Sequence, residues 1–227
     1  MLRIRSNINS NDMMATNYRM VSLFLYYFFI VACALMVFSS AFSSLTLPES
    51  KGIKGGYWPS WLAEQNPPSK IRTKYFTHLF YAFVSLDAST YNLSLTQFDD
   101  QWMSNFTASL HAQNPPAKAF LSIGGGLSSP YTFSNMTNTT QTRSTFTTST
   151  IQTARKYGFD GLDPDWEFPN NEQDMSNLAL LFKQWRKAIE IESISYNKPK
   201  LILSAAVYFA PDFFLIRCSK NLPWCCY

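Results

Sequence analysis

The stretch Phe159-Asp160-Gly161-Leu162-Asp163-Pro164-Asp165-Trp166-Glu167-Phe168-Pro169 sets four acids among aromatic and apolar neighbours. Successive side chains of a strand point to opposite faces. A strand over 159–167 therefore puts Asp163, Asp165 and Glu167 on one face and Leu162, Pro164 and Trp166 on the other. Three carboxyl groups stacked on one face of a buried strand repel one another, and they need shared protons and hydrogen bonds to be tolerated. At least one of them is expected to hold its proton above the usual carboxyl range. A solvated acidic loop would also be rich in acids, but Phe159, Leu162, Trp166 and Phe168 call for burial. Pro164 removes one ladder donor from this strand, on the face away from the carboxylates.

Working outward, strands and helices alternate. Ile53–Trp58 reads as a first strand. His78–Leu86 is a second, almost continuously apolar as buried parallel strands are. Ala119–Gly124 is a third, the acidic stretch a fourth and Leu201–Phe209 a fifth. Between them, Phe98, Trp102, Phe106 and Leu110 recur every fourth residue and predict a helix over Gln97–Ala112. Asn138–Tyr157 is expected to be helical and to stop at Gly158, although its threonines are poor helix formers. Leu178, Leu181, Phe182, Trp185 and Ile189 predict a helix from about Asp174 to Ser193. This alternation is the pattern of a parallel α/β fold. Glu167 falls at the C-terminal end of its strand, where a (β/α)8 barrel places chemistry.

Asp160-x-x-Asp163-x-Asp165-x-Glu167 matches the DxxDxDxE signature of glycoside hydrolase family 18 at all four acids, and the chain resembles that family from about Gly52 to Leu215. Ser122-Ile123-Gly124-Gly125 resembles the SxGG motif of the family, one strand before the acids. Gly55-Gly56-Tyr57-Trp58-Pro59-Ser60-Trp61 and the strand up to Leu86 resemble the plant class V chitinases. The resemblance implies an α/β fold over residues 52–215, an incomplete (β/α)8 TIM barrel of about five parallel strands. It implies hydrolysis of chitin or N-acetylglucosamine oligosaccharides with no metal or organic cofactor. Glu167 would be the general acid and then the base, and Asp165 would orient the substrate's own acetamido group as nucleophile. Asp163 would share a proton with Asp165, Asp160 would tie the strand base, Ser122 would bond the carboxylates, and Gly124 and Gly125 would leave room for them. Tyr57, Trp58, Trp61 and Tyr81 are candidate sugar platforms, since aromatic faces stack on pyranose rings. For Trp58, Trp61 and Tyr81 core packing is an equal reading.

The rest of the chain bounds the setting. Arg3, Arg5 and Arg19 precede an apolar run, Met20–Phe38, followed by Ser39 and Ala41. That order is a secretory signal over residues 1–41, or a membrane anchor if it stays uncleaved. Residues 42–51 read as a linker and 216–227 as a divergent tail. Four sequons, at Asn92, Asn105, Asn135 and Asn138, fit an exported glycoprotein. Cys33, Cys218, Cys225 and Cys226 define neither a disulfide framework nor a metal site. A net charge of +4 without a basic block gives no reason to expect nucleic acid. A full (β/α)8 barrel takes about 250 residues, so the reading is of a C-terminally truncated barrel. Open sheet edges then predict self-association, and a non-catalytic carbohydrate binder or inactive remnant is the alternative to an enzyme.

Overall fold

The computed structural model describes residues 52–207, together with 26–28 and 30. The chain divides into two units, Met1–Gly52 and Ile53–Tyr227. In the first, the described residues 26–28 and 30 are helical and exposed. The rest of the expected leader, the linker over 42–51, residues 208–215, the tail and all four cysteines lie outside the described residues, and no described helix is long and apolar enough to cross a membrane.

The second unit is a parallel sheet with its helices on one face. Its elements are β1 Gly55–Pro59, β2 His78–Leu86, β3 Leu93–Ser94, α1 Gln97–His111, β4 Lys118–Gly124, α2 Pro130–Asn138, α3 Thr140–Tyr157, β5 Gly161–Asp165, α4 Glu172–Ser195 and β6 Ile202–Leu203. The five parallel strands run in the order β1-β2-β4-β5-β6, with β3 paired antiparallel to the end of β2. Strand following helix following strand in this order is an incomplete (β/α)8 barrel.

The register sorts the side chains into two files. Trp58, Tyr81, Leu121, Leu162 and Leu203 are aligned across the sheet. They face the helices and enter the main core with Phe106 of α1, Phe146 of α3 and Trp185 of α4. Tyr57, Phe80, Phe120, Gly161 and Ile202 form the neighbouring file, on the opposite face. Gly161 is required there, because a Cβ would stand 2.4 Å from the Phe120 ring. One step further along, Ser122 lies beside Asp163 and Gly124 beside Asp165. The acids therefore stand on the face that the described helices do not cover.

Two expected elements are corrected. The helix expected over Asn138–Tyr157 begins at Thr140, and Asn138 instead ends α2, which the sequence reading missed. Thr139 is extended between them and caps α3, its hydroxyl accepting from the Thr142 amide. The acidic strand ends at Asp165, not Glu167. Trp166 turns into the helical layer and stacks on Phe133 at 5.7 Å, so the chain leaves the sheet there. The threonines of α3 cost little in burial because they bond locally. Thr147 and Thr150 donate to the carbonyls of Ser144 and Thr147, and Gly158 closes the helix at φ +78°.

Pro164 sits inside the sheet. The amides of Ser204 and Ala206 donate to the carbonyls of Leu162 and Pro164, so pairing continues past β6 through Ala206. In a parallel ladder a residue's N–H and C=O face the same neighbour. The proline's missing donor therefore subtracts from the β5–β6 pairing and leaves β4–β5 intact.

Candidate active site

Asp163 is 1% exposed and is reached by three hydroxyl groups. Tyr57 Oη donates to Oδ2 at 3.0 Å, Ser122 Oγ to Oδ2 at 2.9 Å and Ser204 Oγ to Oδ1 at 2.6 Å. Burial pushes the Asp163 carboxyl above its ordinary value, and the Ser204, Ser122 and Tyr57 hydrogen bonds hold back that rise. Burial and the neighbouring Asp163, Asp165 and Glu167 charges push the Tyr57 phenol up in turn.

Asp165, next along the same face, is 6% exposed. No hydrogen-bond donor among the described residues reaches its carboxyl. Burial first, then the charges of Glu167 and Asp163, raise it from 3.8 to about 6. A raised carboxyl in the row is what the stacking of the acids implied, and here its causes are visible. Glu167 is exposed, just beyond the strand. The loop after β4 lies beside it, since a Cβ on Gly126 would be 3.4 Å from Glu167 Oε2.

The glycines after β4 serve a different purpose from the one expected. A Cβ on Gly124 would meet the backbone carbonyl of Asp165 at 2.3 Å, and one on Gly125 would meet the Phe83 ring at 2.7 Å. Both have positive φ, +115° and +82°. The Gly125 amide donates to the Asp165 carbonyl at 2.9 Å. What they make room for first is backbone and an aromatic ring. Asp160 stands apart at the other end of the strand. It accepts from Lys118 Nζ, His111 Nε2 and the Ala119 amide, joining β5 to α1 and β4. Burial works against its charge, but these three partners outweigh it and hold the carboxyl low.

The four aromatic candidates separate. Tyr57 is at the acids, and its ring stacks on Phe80 at 4.8 Å. Trp61 is 63% exposed and stacks on Phe83 at 6.4 Å; Phe83 in turn lies 5.8 Å from Tyr57. Trp58 and Tyr81 are not platforms. They are buried in the helix-facing file, with Trp58 Nε1 donating to the Asn66 carbonyl and Tyr81 Oη to Asp99 Oδ1. Alternation explains the split, because Trp58 follows Tyr57 and must face the other way. Sequence reasoning missed Phe83, Gly126 and Ser204. Ser204 carried a weak signal, a lone hydroxyl in an apolar run. Among the described residues, no three His, Cys, Asp or Glu side chains converge as a metal ion would need.

The profile of the Glycosyl hydrolases family 18 matches residues 54–218. Class V chitinase CHIT5a of Medicago truncatula is 43% identical over 165 residues, covering 73% of this chain and 42% of the relative. Among solved structures, the class V chitinase from Nicotiana tobaccum superposes with a TM-score of 0.66 at 36% identity, over 71% of this chain and 46% of that one. The GH18 chitinase from Cycas revoluta, solved in complex with (GlcNAc)3, gives a TM-score of 0.68 at 37% identity, over 72% and 48%. The chain thus spans less than half the length of these relatives.

Proposed function

Because the chain belongs to glycosyl hydrolases family 18, we propose that it cleaves β-1,4-linked N-acetylglucosamine chains, chitin or its oligosaccharides, at the row formed by Asp163, Asp165 and Glu167. The observation that carries this reading is the placement of the acids. They follow one another at the C-terminal end of β5, on the face free of the described helices, with Asp165 raised to about 6.

Glu167 protonates the glycosidic oxygen as the bond to C1 breaks, and the leaving sugar departs with that proton. The substrate's acetamido oxygen closes on C1 from the opposite face, giving an oxazolinium ion in place of a glycosyl-enzyme. Asp165 faces the acetamido group and orients it. Water then adds to C1, Glu167 takes its proton, and the acetamido group is restored with retention at C1. Asp163 exchanges a proton with Asp165 and so sets how much charge stands beside Glu167. Tyr57 and Trp61 offer ring faces to the sugars. No step in this route needs a metal or an organic cofactor.

The surroundings extend the proposal. Asn92, Asn105, Asn135 and Asn138 are all exposed, which supports the reading of a secreted glycoprotein. An uncleaved leader would instead anchor it to a membrane. Among the described strands, β1 and β6 each have one neighbour, which supports self-association through those edges. The test incubates the chain with a short N-acetylglucosamine oligomer and reads products by mass spectrometry, beside Glu167→Gln. Product from the parent chain alone is expected. Equal product from both refutes the role of Glu167; sugar binding without product from either leaves a carbohydrate binder.

A further inference from the structure

The three described hydroxyl groups on Asp163 come from β1, β4 and the segment after β6, and they are not equivalent. Tyr57 of β1 and Ser122 of β4 share Oδ2, whereas Ser204, just past β6, is the one described side chain that reaches Oδ1. A carboxylate only accepts hydrogen bonds, while a protonated carboxyl must turn one oxygen into a donor. With Oδ2 taken by two donors, Oδ1 is where a proton on Asp163 would sit, and Ser204 occupies it. The 2.6 Å separation is that of a hydroxyl donating to a charged oxygen. Asp165, by contrast, has no such donor among the described residues.

We propose that Ser204 is a positioning residue: by filling Oδ1 it keeps Asp163 ionised and leaves the proton the two aspartates share on Asp165, beside Glu167. The consequence for catalysis rests on the family reading above; the allocation of the proton does not. Among the described residues, the titratable groups facing Asp163 and Asp165 are Tyr57 from β1 and Glu167 beyond β5, and Ser122 and Ser204 complete the neighbours from β4 and the segment after β6. With Ser204 in place, a proton arriving as pH falls goes first to Asp165, beside Glu167, and Asp163 keeps its charge. Without it, Asp163 competes for the same proton.

The test titrates the full chain, 13C-labelled at the aspartate carboxyls, by NMR without substrate, with Asp163→Asn identifying the signal. Ser204→Ala is expected to raise the Asp163 midpoint by about one pH unit or more, the size of a lost hydrogen bond to a charge. It should also lower the Asp165 midpoint, because a neutral Asp163 no longer opposes ionisation there. Ser204→Cys keeps the side chain's shape with a weaker donor, so it should move both midpoints the same way by less, and it serves if the alanine variant does not fold. Unmoved midpoints in the folded variants overturn the proposal. Failure of the parent chain to release product bears on the hydrolase reading and leaves this titration untouched.

Discussion

Replacing Asp165 with asparagine should make the protein more stable at neutral pH while abolishing the proposed hydrolysis. The Asp165 carboxyl is nearly buried, lacks a donor among the described residues and lies between two other acids. Its value rises from 3.8 to about 6 on folding. A group whose folded value exceeds its unfolded one favours the fold fully below the lower value and loses that contribution as pH rises through the higher. Converted in full, the rise corresponds to about 3 kcal/mol lost at pH 7. Relaxation of the acid row and water penetration bring the figure to about 1–2 kcal/mol. Asp165→Asn removes the charge, so it should gain that amount at pH 7.5 and much less at pH 4.5, where the parent carboxyl is mostly protonated. In a chain of this size the gain is about 3–6 °C in Tm. Thermal unfolding of both proteins at the two pH values decides it. A variant no more stable than its parent at pH 7.5, or a gain equal at both, would refute the argument that Asp165 is held against burial and like charge.

Gly124→Ala should cost about 2–4 kcal/mol in urea unfolding, because a Cβ at φ +115° would drive into the Asp165 carbonyl. Asp160→Asn should cost about 1–2 kcal/mol at pH 7 through its lost ion pair with Lys118 and weakened hydrogen bond with His111. Since the Asp160 carboxyl is held low, that difference should vanish as pH falls through its folded value, with the titration of Asp163 and Asp165 unmoved. Tyr81→Phe should lower stability by about 1 kcal/mol through its lost bond to Asp99 and leave oligosaccharide affinity alone. Trp61→Ala should weaken that affinity about tenfold with little change in Tm, read by calorimetric titration beside thermal melts.

The acid row was legible because it depends on one strand and one rule. Alternation alone separates Asp163 and Asp165 from Leu162 and Trp166, and burial follows from those apolar neighbours. The same rule applied to Tyr57-Trp58 would have sent Trp58 to the core. Tyr81 needed more, the parallel register that aligns it with Trp58, and register is set between strands rather than within one. The short pieces were illegible for a related reason. Leu93–Ser94 is too brief to show a period, and α2 is a nine-residue helix whose pattern merges with α3. Thr139, which divides α2 from α3, carries a capping box with Thr142 where a Glu or Gln is usual. Ser204 was missed because its partner lies 41 residues earlier and its meaning appears only when β6 lies against β5.

Pro164 and Ser204 answer one another across that same pair of strands. The proline withholds a ladder donor on the β6 side, and a neutral backbone bond of that kind contributes about 0.5–1.5 kcal/mol. Ser204 adds a side-chain bond from β6 to Asp163, next to the gap, and a bond to a charged acceptor contributes about 1.5–3 kcal/mol. The exchange therefore leaves β6 held to β5 at least as firmly, provided Asp163 stays ionised. The strand alignment and the charge of the acid row are thus coupled. Protonating Asp163 would loosen β6, and losing β6 would strip Asp163 of the donor on Oδ1. The strand tolerates proline there because one of the acids beside it, Asp163, helps to bind its neighbour.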